Sequence, residues 1–160
     1  MSTTESPTLV ISQSQFLTHW QAHRRLTRRA IAAFPDDQLF TYSVGGMRTF
    51  GALANEMLGM AVSTVNGVIT DKWDSYVPSA ATTKDEVLTQ WDESTRQLDV
   101  LFPQIPAARF QETMTAFGQW TMPGYDLLLY IVDNEIHHRG QAYVYLRALG
   151  IEPPPFYDRS

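Results

Sequence analysis

One stretch decides what this chain can fold into. From Thr49 to Thr70 the sequence is almost uncharged, and Glu56 is its only ionisable residue. Leu53, Met57, Met60, Ala61, Val65, Val68 and Ile69 recur at helical spacing and cover most of the helix surface. A helix that is apolar on most sides has to be buried on most sides. It also carries Asn55, Glu56, Asn66 and the glycines Gly51, Gly59 and Gly67, which makes it a poor membrane span. Other helices must therefore surround it.

The chain supplies three. Phe16, Trp20, His23, Thr27, Ala30 and Phe34 predict a helix over 14–34, with Arg24, Arg25, Arg28 and Arg29 on its wet side. Val87, Leu88, Trp91, Thr95, Leu98 and Leu101 predict a second over 84–102, opened by a Thr83/Glu86 capping box and closed by Pro103. The last runs over 125–149, with Gly150 as its stop and Pro153-Pro154-Pro155 preventing continuation. Between the third and fourth helices, 109–122 reads as irregular or partly extended, with a short strand placed at 110–114. The fold class is all-α, a four-helix bundle.

At 160 residues, 44% hydrophobic and 12% aromatic, the chain has the size and core of one domain over 1–160. Its first twelve residues read as a flexible tail. The net charge of -5 argues against nucleic-acid binding, which needs a positive footprint. There is no cysteine, so disulfides, zinc ribbons and thiolate nucleophiles are excluded. Met1 to Leu9 lacks the basic and apolar regions of a signal peptide, and the expected location is cytoplasmic, with no membrane partner.

Chemistry concentrates on the last helix, in Asn134-Glu135-Ile136-His137-His138-Arg139-Gly140-Gln141. Residues three or four apart share a helix face. His138 therefore aligns with Asn134, Ile131 and Leu127, a mostly apolar row that points inward. His137 lies about 100° away as a flank residue. Glu135 stands three positions from His138, a spacing also compatible with joint metal binding. Gly140 reads as a site of close helix approach, and Tyr130 and Tyr143 lie off the core face.

Glu56 needs a cation, strong donors or a proton to offset its desolvation. His138 and Arg139 are candidate partners, and so is a divalent metal shared with His138. A buried hydrogen-bonded Glu56–His138 pair remains open beside that reading. His19 and His23 form a competing ligand pair by spacing, for which a structural role is favoured.

The run Glu135 to Arg147, followed by Gly150 and Pro153 to Tyr157, resembles the C-terminal signature of the DinB/YfiT-like superfamily. Arg48-Thr49-Phe50-Gly51-Ala52-Leu53-Ala54 is similar to that family's entry into the second helix. The resemblance covers most of the chain. It implies a DinB-type four-helix bundle, usually a homodimer, with a divalent metal (zinc, nickel, manganese or iron) between helices. The family pattern has one histidine on the second helix and two, four apart, on the last. Here Glu56 and Asn134 stand at two of those places and His138 at the third. The implied ligands are Glu56, Asn134 and His138, a set that holds zinc less tightly than three imidazoles. The resemblance further implies a thiol-dependent S-transferase or a hydrolase in stress or detoxification. Its partners would be a low-molecular-weight thiol and a small electrophile, activated at the metal. The alternative is a non-catalytic bundle that binds a ligand through a degenerate site.

Overall fold

The computed structural model describes residues 10–74 and 76–160. Most of the expected tail, residues 1–9, lies outside them. Within them, Ser12 already caps the first helix and accepts from the Gln15 backbone, while the Gln15 side chain answers the Ser12 N–H. Four helices follow: α1 Gln13–Ala33, α2 Phe50–Thr70, α3 Lys84–Leu101 and α4 Gly124–Ala148. Each lies within two residues of its sequence-based bounds. The Thr83/Glu86 capping box is present, and Gly150 ends α4 at φ 75°, a conformation that favours glycine.

The connection from α3 to α4 departs from expectation. Single-turn 3-10 segments at Phe102–Gln104 and Ala107–Phe110 lead into a hairpin, β1 Thr113–Ala116 paired antiparallel with β2 Trp120–Pro123. The strand therefore starts later than residue 110 and has a partner. The hairpin escaped the sequence reading because its turn is Phe117-Gly118, both at positive φ, where Asn-Gly or Asp-Gly is the usual signal.

Helix α2 packs against α3 and α4. Its glycines are covered rather than free: the Phe40 ring lies on Gly51 and the Trp73 ring on Gly67, each where a Cβ would sit. None of the large exposed hydrophobics among the described residues belongs to α2. The apolar helix is thus satisfied within one chain. No helix among the described residues is long and apolar enough to cross a membrane.

The core is split along the bundle axis. One cluster gathers Phe34, Phe50, Leu53, Met57, Trp91, Tyr145 and Leu146. The other gathers Phe16, Trp20, Val65, Leu98, Phe102, Leu128 and Val132. Between them runs a polar layer: His23, Arg24 and Thr27 of α1, Ser94 of α3, and Glu135, His138 and Arg139 of α4, all buried. Apolar burial at both ends holds the helices together, and the polar layer fixes what happens in the middle.

Candidate functional site

The polar residues of α4 divide onto two sides. Glu135 and His138 differ by three positions, about 60° around the helix. That step is enough to turn Glu135 toward α1 and His138 toward α2.

On the α1 side, Glu135 accepts from Trp20 Nε1 at 3.2 Å and from the Thr27 hydroxyl at 2.6 Å. Thr27 in turn accepts from Arg139 Nη1 at 3.0 Å. Arg24 Nη1 lies 3.9 Å from the Glu135 carboxylate. Glu135 is therefore not part of a metal set with His138. Arg139 faces His23 and Thr27 and is not the partner of Glu56.

Arg24 is 1% exposed, which corrects its assignment to the wet side. It donates to Ser94 Oγ at 2.5 Å and Thr95 Oγ1 at 2.9 Å, and its guanidinium carbon lies 4.2 Å from the Trp91 ring centroid. The signal was present: Arg24 continues the Phe16–Trp20 row at four-residue spacing. A guanidinium can be buried when its fork is hydrogen-bonded and its plane lies on an aromatic ring. Burial pulls its pKa down to about 10, against the opposing pull of Glu135.

His23 is buried with Arg139 Nη2 2.9 Å from Nδ1 and Arg159 Nη1 3.0 Å from Nε2. A neutral imidazole offers one lone pair, so only one of the two guanidiniums can donate to the ring at a time. Burial first, then Arg139, lowers its pKa to about 4. His19 is exposed and meets His23 only edge to face, with ring centroids 4.6 Å apart. These two histidines do not form a ligand pair; His23 ties the C-terminal segment to α1.

On the α2 side the structure brings together Glu56, Asn134 and His138. Glu56 Oε1 lies 3.1 Å from His138 Nε2 and 3.5 Å from Asn134 Nδ2. His138 Nδ1 faces Gln141 Oε1 at 2.7 Å, one turn further along α4. Arg48, from the loop before α2, forms a salt bridge with the other Glu56 oxygen. Burial would raise the Glu56 pKa, but the Arg48 and His138 hydrogen bonds outweigh it and hold the carboxyl below its usual range. Tyr76 donates to the Glu56 carbonyl at 3.1 Å, and burial with the nearby carboxylate pushes its pKa to about 12. His137 is exposed and stands aside from the site. Gly140 is also exposed with nothing within 4 Å, so it mediates no helix contact within the chain.

Sequence reasoning gave neither Arg48 nor Gln141 a role at the site. Arg48 lies in a loop, eight residues from its partner, where no periodicity applies. Gln141 was legible by spacing, since position i+3 from His138 shares its face.

Do these residues fit a divalent ion? Donors that share an ion at about 2.1 Å stand roughly 3–3.5 Å apart. The Glu56–His138 and Glu56–Asn134 pairs meet that separation. The Asn134 amide must turn over to present its oxygen, an exchange of two nearly isosteric atoms. With Gln141 accepting from Nδ1–H, the usual support for a ligating imidazole, Nε2 could ligate an ion on giving up the proton it shares with Glu56. Among the described residues no three His, Cys, Asp or Glu side chains converge, so the third donor would be the weak amide. Arg48 opposes an ion by drawing charge from Glu56. The set fits an ion with oxygen-rich preference better than zinc.

The class is thus a helical bundle with a carboxylate–amide–imidazole site between its second and fourth helices. The DinB family model matches residues 1–160, and the chain belongs to the DinB family. It is 23% identical over 158 residues to the uncharacterized protein YrdA of Bacillus subtilis, covering 89% of this chain and 86% of that one. The fold is similar to the DinB-like protein YjoA of Bacillus subtilis, with a TM-score of 0.70 at 19% identity over 90% of this chain and 97% of that one. A member assigned to the family from Exiguobacterium sibiricum has a TM-score of 0.69 at 17% identity, covering 90% and 95%. A mycothiol-dependent maleylpyruvate isomerase shares the fold at TM-score 0.65 and 12% identity, over 82% of this chain and 61% of that one.

Proposed function

We propose that the chain is a metal-site DinB protein that activates a low-molecular-weight thiol, or water, for attack on a small electrophile. It would act as a thiol-dependent S-transferase or as a hydrolase. The carrying observation is the convergence of Glu56 Oε1 and His138 Nε2 at 3.1 Å, with Gln141 on the far ring nitrogen. Glu56, His138 and the turned Asn134 amide would hold a divalent ion, which when bound lowers the pKa of a thiol or water. Gln141 keeps His138 in the required tautomer. Arg48 holds the second Glu56 oxygen and leaves a cation beside the site, placed to attract an anionic substrate group. Fold likeness to a mycothiol-dependent enzyme lends the thiol reading its chemistry by analogy alone.

A second reading, a non-catalytic binding bundle with a degenerate site, is favoured by one observation. The Arg48–Glu56–His138 cluster already compensates the carboxylate without an ion. Melting the tag-free protein with divalent metals separates the two readings. At a hundredfold excess over Kd the first predicts a rise of roughly 5–10 °C, absent in Glu56→Ala and His138→Ala. The second predicts no rise in any of the three proteins.

The protein is further proposed to form a homodimer through α4 rather than α2. Tyr125, Leu129, Ile136 and Val144 form an exposed apolar stripe, and Gly140 between the last two leaves room for a partner helix.

A further inference from the structure

The outer face of α4 is ordered as a seam. Leu129, Asp133, Ile136, Gly140, Tyr143 and Arg147 follow one another at steps of four, three, four, three and four residues. That is the spacing with which one helix meets another along its length. The described residues leave five of the six exposed, and Tyr143 half-buried. The seam also has a centre. Gly140 has no side chain and nothing within 4 Å, so a second helix can come closest there.

Charge is divided about that centre. Asp133 stands seven residues before Gly140 and Arg147 seven after it. Neither has an ion-pair partner among the described residues. Two copies of α4 laid antiparallel, with a two-fold axis at Gly140, set Asp133 of each opposite Arg147 of the other. The same symmetry sets the exposed Ile136 of one copy opposite the exposed Val144 of the other. A parallel pair would instead bring like charges together. Past the C-terminal end of the seam lies a groove of about 520 Å³, with Val144, Arg147, Pro153, Pro155 and Phe156 in its walls. The segment that forms its far wall is tied to α1: Arg29 pairs with Asp158 at 3.2 Å, and Arg25 donates to the Arg159 carbonyl at 3.1 Å. In an antiparallel pair this groove lies opposite the start of the second α4, where Tyr125 is exposed.

We propose that α4 pairs antiparallel with α4 of a second copy of this chain, centred on Gly140. Asp133–Arg147 ion pairs form on both sides of the axis, and Tyr125 of each copy sits in the other's C-terminal groove. The inference rests on the α4 dimer reading and gives that dimer a direction, a register and an occupant for the groove.

Sedimentation equilibrium on the full chain measures the dimer Kd of the native protein, of Asp133→Arg, of Arg147→Asp and of an equal mixture of the two variants. Each reversal alone puts like charges at both symmetric pairs and should weaken the dimer at least about tenfold. The mixture regains opposite charges at both pairs and should return to within about threefold of native, which a folding defect in either variant would prevent. The chain has no cysteine, so single cysteines report the groove cleanly. Tyr125→Cys mixed with Pro155→Cys should form a disulfide between the two variants faster than either forms one with itself. A native dimer whose Kd ignores the reversals, or is not recovered on mixing, would overturn this register and leave the α4 dimer standing. A native monomer would overturn both. A disulfide that forms as fast within one variant as between the two would overturn the seating of Tyr125.

Discussion

Replacing Glu135 by alanine tests the buried layer at its centre. The carboxylate is the acceptor for Trp20 Nε1 and the Thr27 hydroxyl, and Arg24 lies 3.9 Å away with its side chain 1% exposed. Orphaning the two donors costs about 1–3 kcal/mol each. Leaving a buried guanidinium without its countercharge costs about 3–5 kcal/mol. These losses share groups and do not add, so the expected total is about 4–5 kcal/mol. At roughly 2–4 °C per kcal/mol for a chain of this length, the melting midpoint falls by about 10–15 °C. Glu135→Gln keeps an acceptor for one donor and should lose about half as much. Urea unfolding followed by far-UV circular dichroism measures both. A loss under about 1 kcal/mol in Glu135→Ala would refute the idea that this carboxylate organises the layer.

His23 makes stability depend on pH. The unfolded ring takes its proton near 6.5 and the folded ring only near 4, so the contribution is complete above pH 6.5 and is lost as pH falls toward 4. Between pH 6.5 and 5 the native protein should lose about 1–2 kcal/mol more than His23→Gln by urea midpoint; parallel profiles would count against it. Asn134→His places a second imidazole beside Glu56 and His138 and should tighten zinc at least about tenfold in a chelator competition. An unchanged affinity would show that position 134 does not face the ion. Light scattering at micromolar concentration should give about twice 18.2 kDa, shifting toward one chain in Val144→Lys; a native monomer would contradict the proposed α4 interface.

The four helices were legible because periodicity, caps and stops agree along each of them. The inward turn of His138 and Asn134 followed from α4 geometry alone. Glu56 was legible as the one charge in an apolar helix that had to find a partner. Other features were hidden for physical reasons. Arg24 reads as solvated because its charge outweighs its place on the Trp20 row, until Trp91 and Ser94 are seen to receive it. Glu135 and Glu56 are both carboxylates near histidines, and only the rotation of α4 sends them to opposite sides. Arg48 acts from a loop. The hairpin is masked by a phenylalanine where the turn would favour glycine or asparagine.

Helix α4 turns a structural polar side toward α1 and, in the proposed function, a metal-holding side toward α2. Metal analysis of tag-free native protein by inductively coupled plasma mass spectrometry tests it most directly. About one divalent ion per chain is expected, lost in Glu56→Ala and in His138→Ala but retained in Glu135→Gln. A stoichiometry indifferent to Glu56 and His138, or one lost with Glu135, would contradict it.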